Sequence, residues 1–575
     1  MQYEVSFGRL DRPASVLAGA KRFRLAVLGD FSGRANAGKL ETGDALATRK
    51  PIAIDVDNID DVLARMKLVL SLTLAEDEAP VSVPVASLDD FHPDQLVENM
   101  ELFETLLTLR RDVSSKAGFA RAAKEVQSWS GEDALPLPPR TARGTAIATD
   151  RRFSDFARLT DTAPPSSVVD RSVDDLIRRL VGPYIEPARD AQQPALVARV
   201  DQALSAAMRR VLHHPDFQAA EAVWRAVELL VRRLETGARL QVVLYDVTAE
   251  ELAADLAATD ALEDTGLYGL MVEQPALDAD QGPLSAVIGL YGFELSPPHA
   301  DLLGRVAKVA AAAGAPFLTG IEPDALQMKF EDQHLLNRQA WPALWALPAS
   351  AYLGLVTPRF LLRMPYGKAS DPIDAFGFEE FTRQDGLSGM LWGHPAVIAG
   401  LVLAQAWSKG GAKMQPGTGA AVGDMPNYVY HAENGDQVAL PCTERLYSER
   451  QANQAASYHA MPLVTLRGRP EVRLGRMSSV GGAALAGFWA PAPLSDAPLS
   501  NSPPPTAPVP IPAAVAPITP MPEDEPELPE AEQETAAAEE APADDLDALL
   551  ASLSAPPPAA EGATELDLDA LLASL

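Results

Sequence analysis

The sequence is short of thiols, of positive charge and of long apolar runs. One cysteine, Cys442, occurs in 575 residues. No intramolecular disulfide can form, and zinc sites of the CxxC…CxxC kind are excluded. The composition reads as that of a reducing, cytoplasmic compartment. Lys and Arg total 48 against 79 Asp and Glu, a formal charge of -31. Phosphate binding needs a basic face, so nucleic acid is not expected as a partner. No run of 18 apolar residues occurs, so no membrane insertion is expected. The opening stretch, MQYEVSFGRLDRPASVLAGAKRF, lacks the uninterrupted apolar core of a signal peptide. HExxH, GxSxG and P-loop patterns are all missing, so no catalytic residue, metal ligand or cofactor site is assigned.

What is present is a chain long enough for several domains, 47% hydrophobic, with its acidity unevenly placed. From Pro491 to the end there are 17 Asp or Glu, no Lys or Arg, and 18 of the 49 prolines. Such a segment cannot bury enough apolar surface to offset ordering entropy, and 491–575 is expected to be a disordered acidic tail. ALPLPPRTARGTA and TDTAPPSS mark a second break, read as a linker over 128–167. The folded regions are then 1–127 and 168–490.

The tail carries an internal repeat. Leu-Asp-Ala-Leu-Leu-Ala-Ser-Leu stands at 546–553 and again at 568–575. In a helix Leu546, Leu549, Leu550 and Leu553 share one face, as do Leu568, Leu571, Leu572 and Leu575. Eight residues do not hold a helix alone. Identical repetition with the leucines in phase favours a twofold docking motif that folds on a partner over low-complexity drift.

The rest alternates strand and helix. FRLAVLGDFSG (23–33), PIAIDV (51–56), VSVPVAS (81–87), LQVVLYDV (240–247), LSAVIGLYGF (284–293) and APFLTGI (315–321) read as strands. Helices are expected over 59–70, from Pro93 to about Arg111, over 195–212, from Pro215 to a stop at Gly237, from Pro297 to Gly314, and over 394–411. Repeated strand-helix-strand predicts an α/β (α+β) fold with buried sheets. His213 and His214 are adjacent, but neighbours on a helix point about 100° apart, so a shared metal is disfavoured. A helix-end position before Pro215 is preferred. Asp30 is expected to cap a turn, and Cys442 to be a small buried hydrophobe.

Two blocks of residues carry a resemblance. FRLAVLGDFSGR (23–34), KPIAIDVDNIDDVLARM (50–66) and LDDFHPDQLVENMELFETLLTLRR (88–111) resemble the small sheath subunit of type VI secretion systems, the TssB (VipA) family. VLHHPDFQAAEAVWRAVELLVRRLETGARLQVVLYDV (211–247), YLGLVTPRFLLRMPYGKASDPIDAFGFEEF (352–381) and LWGHPAVIAGLVLAQAW (391–407) resemble the large subunit, the TssC (VipB) family. The resemblance implies two α/β regions packed as one intramolecular heterodimer. It also implies a structural, non-enzymatic part of a contractile sheath, or a sheath-end adaptor. The partners implied are other sheath subunits or copies of itself, the inner tube protein and the baseplate. After Trp489 the large-subunit pattern stops and the acidic tail stands in its place, which leaves a second reading: a non-assembling scaffold that recruits an unknown partner through its tail repeats. Arg359, Arg363 and Tyr366, in PRFLLRMPYG, are candidates for interface contacts or for satisfied polar groups at the core edge.

Overall fold

In a computed structural model of the chain, residues 5–10, 22–75, 79–115, 118–129, 193–278, 281–417, 420–432, 435–466 and 468–490 are described. The linker expected over 128–167 falls, past Trp129, outside these residues, and so do the acidic tail and both leucine repeats.

The first half contributes strands β1 (Phe23–Gly29), β2 (Ile52–Ile54), β3 (Leu68–Leu72) and β4 (Val81–Val85). Its helices are α1 (Asp44–Ala47), α2 (Ile59–Met66), α3 (Pro93–Asn99), α4 (Glu101–Ser114) and α5 (Phe119–Ser128). The second half opens with α6 (Gln193–Leu212) and α7 (Pro215–Arg233), then runs β5 (Leu240–Asp246), α8 (Ala249–Ala258), β6 (Ala286–Phe293), α9 (Pro297–Ala313), β7 (Phe317–Ile321), α10 (Leu335–Ala346) and β8 (Leu353–Thr357). Short strands β9 (Phe360–Leu361) and β10 (Trp392–Gly393) precede the apolar helix α11 (Ala396–Gly410). Strands β11 (Ala421–Val422), β12 (Val429–His431), β13 (Gln437–Ala439), β14 (Met461–Thr465) and β15 (Val472–Leu474) complete the body.

Among the described residues nine strands form one sheet, in the order β11-β15-β14-β8-β7-β6-β1-β5-β2. β1 is parallel to both its neighbours: Phe23–Gly29 pairs residue for residue with Leu240–Asp246, and Leu25–Leu28 pairs with Ala286–Gly289 on the other edge. The first half thus supplies a central strand to the second half's sheet, and β2 closes that sheet antiparallel to β5. The two α/β regions expected to pack as one intramolecular heterodimer do so by interleaving, with strands of both in one sheet. All seven residues of β1 are buried, as a near-continuous apolar run demands of a strand covered on both faces. Phe23, Leu25 and Val27 enter one core with α2 to α7 and α11, while Ala26 and Leu28 enter the other with α8, α9 and α10. Each fully buried Leu, Val or Phe contributes about 1.5–3 kcal/mol, so β1 alone fastens the halves strongly.

Three element boundaries differ from expectation. The helix from Ile59 stops at Met66 because Lys67 turns left-handed (φ 52°), and the residues after it alternate as β3, with Leu68, Leu70 and Leu72 inward and Val69 and Ser71 outward, paired with β4. The helix from Pro93 breaks at Met100, whose backbone is extended. The helix from Pro215 ends at Arg233, before Gly237, with Leu234 extended. No described helix is long and apolar enough to cross a membrane.

Candidate functional site: the seam between the halves

At several points where the two halves meet, polar groups of one half are satisfied by the other. At the carboxyl end of β5, Asp246 accepts from the amides of Phe31 (2.8 Å) and Ser32 (3.2 Å) and from Ser32 Oγ (2.6 Å). The Trp224 indole donates to the Phe31 carbonyl at 3.1 Å, with the two rings edge to face. Asp30 caps the following turn, accepting from the amides of Arg34 and Ala35. Burial pushes its carboxyl up to about 6, against the pull of those two amides, and Asp246 and Glu250 nearby add to the rise.

The centre of the seam is Glu251, fully buried on α8. Thr248 and Glu251 form a capping box at the start of that helix. The carboxylate has donors left to satisfy it from the first half: Arg34 Nη2 at 2.9 Å, Arg49 Nη2 at 2.6 Å and the Glu41 amide at 3.0 Å. Burial alone would raise this carboxyl; the hydrogen bonds from Arg49 and Arg34 outweigh it and hold the group below its ordinary value. One turn on, Asp255 accepts from the amides of Gly43 (2.7 Å), Gly266 (2.9 Å) and Leu267 (2.8 Å). Gly266 and Gly269 let the backbone there lie against α1, where a Cβ would come within 2.6 Å of the Gly43 carbonyl and 2.7 Å of the Ala47 methyl.

The loop after β8 holds the residues singled out from PRFLLRMPYG. Arg363 lies between two buried carboxylates, with Nε 2.7 Å from Glu221 of α7 and Nη1 2.7 Å from Glu380. Burial works against both charges here, but Arg363 holds Glu380 down at about 2. The Tyr366 ring lies 4.1 Å from the Arg363 guanidinium, and its hydroxyl accepts from Arg225. Arg359, less buried, pairs with Glu444 at 2.7 Å. Each of the three therefore has a partner inside the chain. The eight leucines of the tail lie outside the described residues.

His214, expected at a helix end before Pro215, caps the start of α7, its ring accepting from the Asp216 amide. His213 approaches Glu380 at 3.6 Å. Among the described residues no group of three His, Cys, Asp or Glu could hold a metal ion. Cys442 is buried.

Sequence reasoning passed over Arg34, Arg49, Glu251 and Asp255. The Thr-x-x-Glu capping box was legible, but nothing local shows that its glutamate also meets two arginines some 200 positions away. Glu221 did leave a signal, since it falls on the apolar face between Phe217 and Trp224, where a charge needs a buried partner.

Comparison with known proteins separates the same two halves. Residues 22–126 match the family described as "Type VI secretion system, VipA, VC_A0107 or Hcp2". Residues 194–480 match "EvpB/VC_A0108, tail sheath N-terminal domain". The chain is also 28% identical over 342 residues to the type VI secretion system sheath protein TssC1 of Pseudomonas aeruginosa strain PAO1, covering 55% of this chain and 68% of that relative. With β1 of the one region seated inside the sheet of the other, the chain belongs to the type VI secretion sheath families, joining a VipA-family region and a VipB-family region in a single polypeptide.

Proposed function

We propose that this chain is a structural subunit of a type VI secretion contractile sheath, with the pairing of small and large subunits built in cis. The observation that carries this reading is the place of β1, paired on both edges by strands of the VipB-family region. A unit so interleaved is a rigid building block, and the covalent link replaces a bimolecular encounter by an intramolecular one at high effective concentration. Its work is done through assembly and not through catalysis, in the cytoplasm, with other sheath subunits or copies of itself around an inner tube and on a baseplate. The proline-rich acidic stretch after residue 490 suits a subunit at the end of a sheath, or an adaptor. The domain limits that go with this are 1–127, a linker over 128–167, 168–490 and the tail from 491. Of the three loop residues, Arg359 is placed to meet a neighbouring subunit, while Arg363 and Tyr366 hold the surface in shape. The tail leucines dock a separate partner.

Negative-stain imaging of the purified full chain, alone and co-expressed with separate sheath subunits, tests the reading. Tubes, ring stacks or decorated sheath ends are expected. Monodisperse particles that leave co-expressed sheaths undecorated would overturn it in favour of a soluble scaffold.

A further inference from the structure

The tripeptide His-Pro-Asp occurs twice, at 92–94 in the first half and at 214–216 in the second. Each opens a helix, and in each the imidazole is the cap. Nδ1 of His92 accepts from the Asp94 amide and Nδ1 of His214 from the Asp216 amide, both at 3.2 Å. The proline sits in the first turn, where a missing N–H costs nothing. The two corners meet across the seam, with the rings of Phe91 and Phe217 edge to face at 5.6 Å. Each aspartate then reaches into the opposite half. Asp94 accepts from the amides of Asp374 and Ala375, each at 3.0 Å. Asp216 accepts from Asn36 Nδ2 at 2.9 Å.

We infer that the two His-Pro-Asp corners are a proton-operated clasp between the halves: protonating the imidazoles turns each cap nitrogen from acceptor to donor and draws its aspartate off the other half. A neutral ring can accept on Nδ1 only when its proton is on Nε2, and a charged ring has no lone pair to offer. The carboxylate beside the new N–H is the one that bridges the seam: Asp94 Oδ2 is 3.5 Å from His92 Nδ1, and Asp216 Oδ2 is 3.9 Å from His214 Nδ1. The cation would also stand at the positive end of a helix. His214 faces Asp216 on its own helix, the Thr73 carbonyl beyond β3, and Arg210 on α6; burial, with Arg210, keeps it neutral below its ordinary range against the pull of Asp216 and Thr73. His92 faces Asp94 and packs edge to face with the Tyr366 ring, which also meets Arg363 and whose hydroxyl accepts from Arg225. His334 caps α10 through the Leu336 amide but has no aspartate two residues on, so it is a cap without a clasp.

Hydrogen exchange of the full chain, followed peptide by peptide at about pH 7 and about pH 5 and corrected for the intrinsic rate, tests the clasp. Protection over 34–37, 92–96, 214–218 and 372–376 should fall on acidification by roughly three- to tenfold, the size of a lost cap. In the His92→Asn, His214→Asn double variant, whose caps have no proton to gain, protection should be the same at both pH values. An acid-induced loss that persists in the double variant, or is absent from the parent, overturns the inference. Ring ¹⁵N shifts of histidine-labelled parent give a readout independent of the variants. Each ring should be bare at Nδ1 while its corner is protected and carry a proton there once exchange has risen; a proton on Nδ1 in the protected corner overturns the inference too. The outcome does not depend on whether the chain assembles.

Discussion

Replacing Glu251 by alanine strips the seam of its central acceptor. The carboxylate is fully buried and receives Arg34, Arg49 and the Glu41 and Thr248 amides. Removing one partner of a buried ion pair costs about 3–5 kcal/mol, because the charges left behind stay desolvated. Here both arginines keep Glu41, which is half exposed, so the lower end, about 3 kcal/mol, is expected. Glu251→Gln keeps an acceptor for the amides while losing the charge, and should cost roughly half as much. Equilibrium denaturation of the full chain near neutral pH measures both. The sign with pH follows from the depressed carboxyl. Its contribution is fully present above its ordinary value of 4.5 and is lost as pH falls through the lower folded value. The gap between parent and Glu251→Gln should therefore close as the solution is made more acidic than that. A Glu251→Ala variant within about 0.5 kcal/mol of the parent, the range of ordinary surface changes, would show that the seam does not depend on this group.

Arg363→Met should leave Glu380 buried with less to hold it charged, while Glu221 keeps Arg225, and cost about 3 kcal/mol or more near neutral pH; the deficit should shrink on acidification, as Glu380 protonates, in denaturation midpoints taken at neutral and acidic pH. Gly304→Ala places a methyl carbon 2.0 Å from the Phe7 ring, so the segment 5–10 should lift from α9, seen as faster amide exchange at Arg9, which donates to the Asp260 carbonyl, and at Leu262, which donates to the Arg9 carbonyl. Cutting an introduced protease site near Pro138 should leave the two halves co-eluting on gel filtration, and their separation without denaturant would refute the interleaved sheet. Leu549→Asp and Leu571→Asp should each weaken pull-down of a tail partner and together abolish it, a loss of avidity of up to about 10²–10⁴; a chain ending before residue 491 that keeps every partner rules the docking motif out.

The strands most legible in the sequence were those whose burial on both faces writes a near-continuous apolar run, such as FRLAVLG and AVIGLYGF. Such a run announces two covers and two neighbours but not which ones, because backbone hydrogen bonding is blind to side-chain identity. That β1 lies between β5 and β6 was therefore beyond periodicity, and family resemblance reached only as far as two packed regions. Helix ends are hidden where a residue inside an apolar-periodic run leaves the helical conformation, left-handed at Lys67 and extended at Met100. Much of the polar seam was illegible for a different reason. Asp246, Asp255 and Glu251 look like ordinary strand-end and helix residues, and their meaning lies in donors brought from far along the chain.

The place of β1 also sets a clock on biogenesis. Translation runs from the first half to the second, so β1 leaves the ribosome with neither neighbour yet made. Phe31 waits for Asp246, 215 positions downstream, which at about 5–20 residues per second is roughly 10–40 s. During that interval a largely apolar strand has both edges open, the condition in which nascent chains associate wrongly. Joining the halves in one polypeptide keeps the missing neighbours on the same ribosome as the strand that needs them, so the exposed interval is fixed by elongation and not by the concentration of a separate partner. Slowed elongation between residues 130 and 240 should accordingly raise the fraction of chain lost to aggregation, although the folded protein is unchanged.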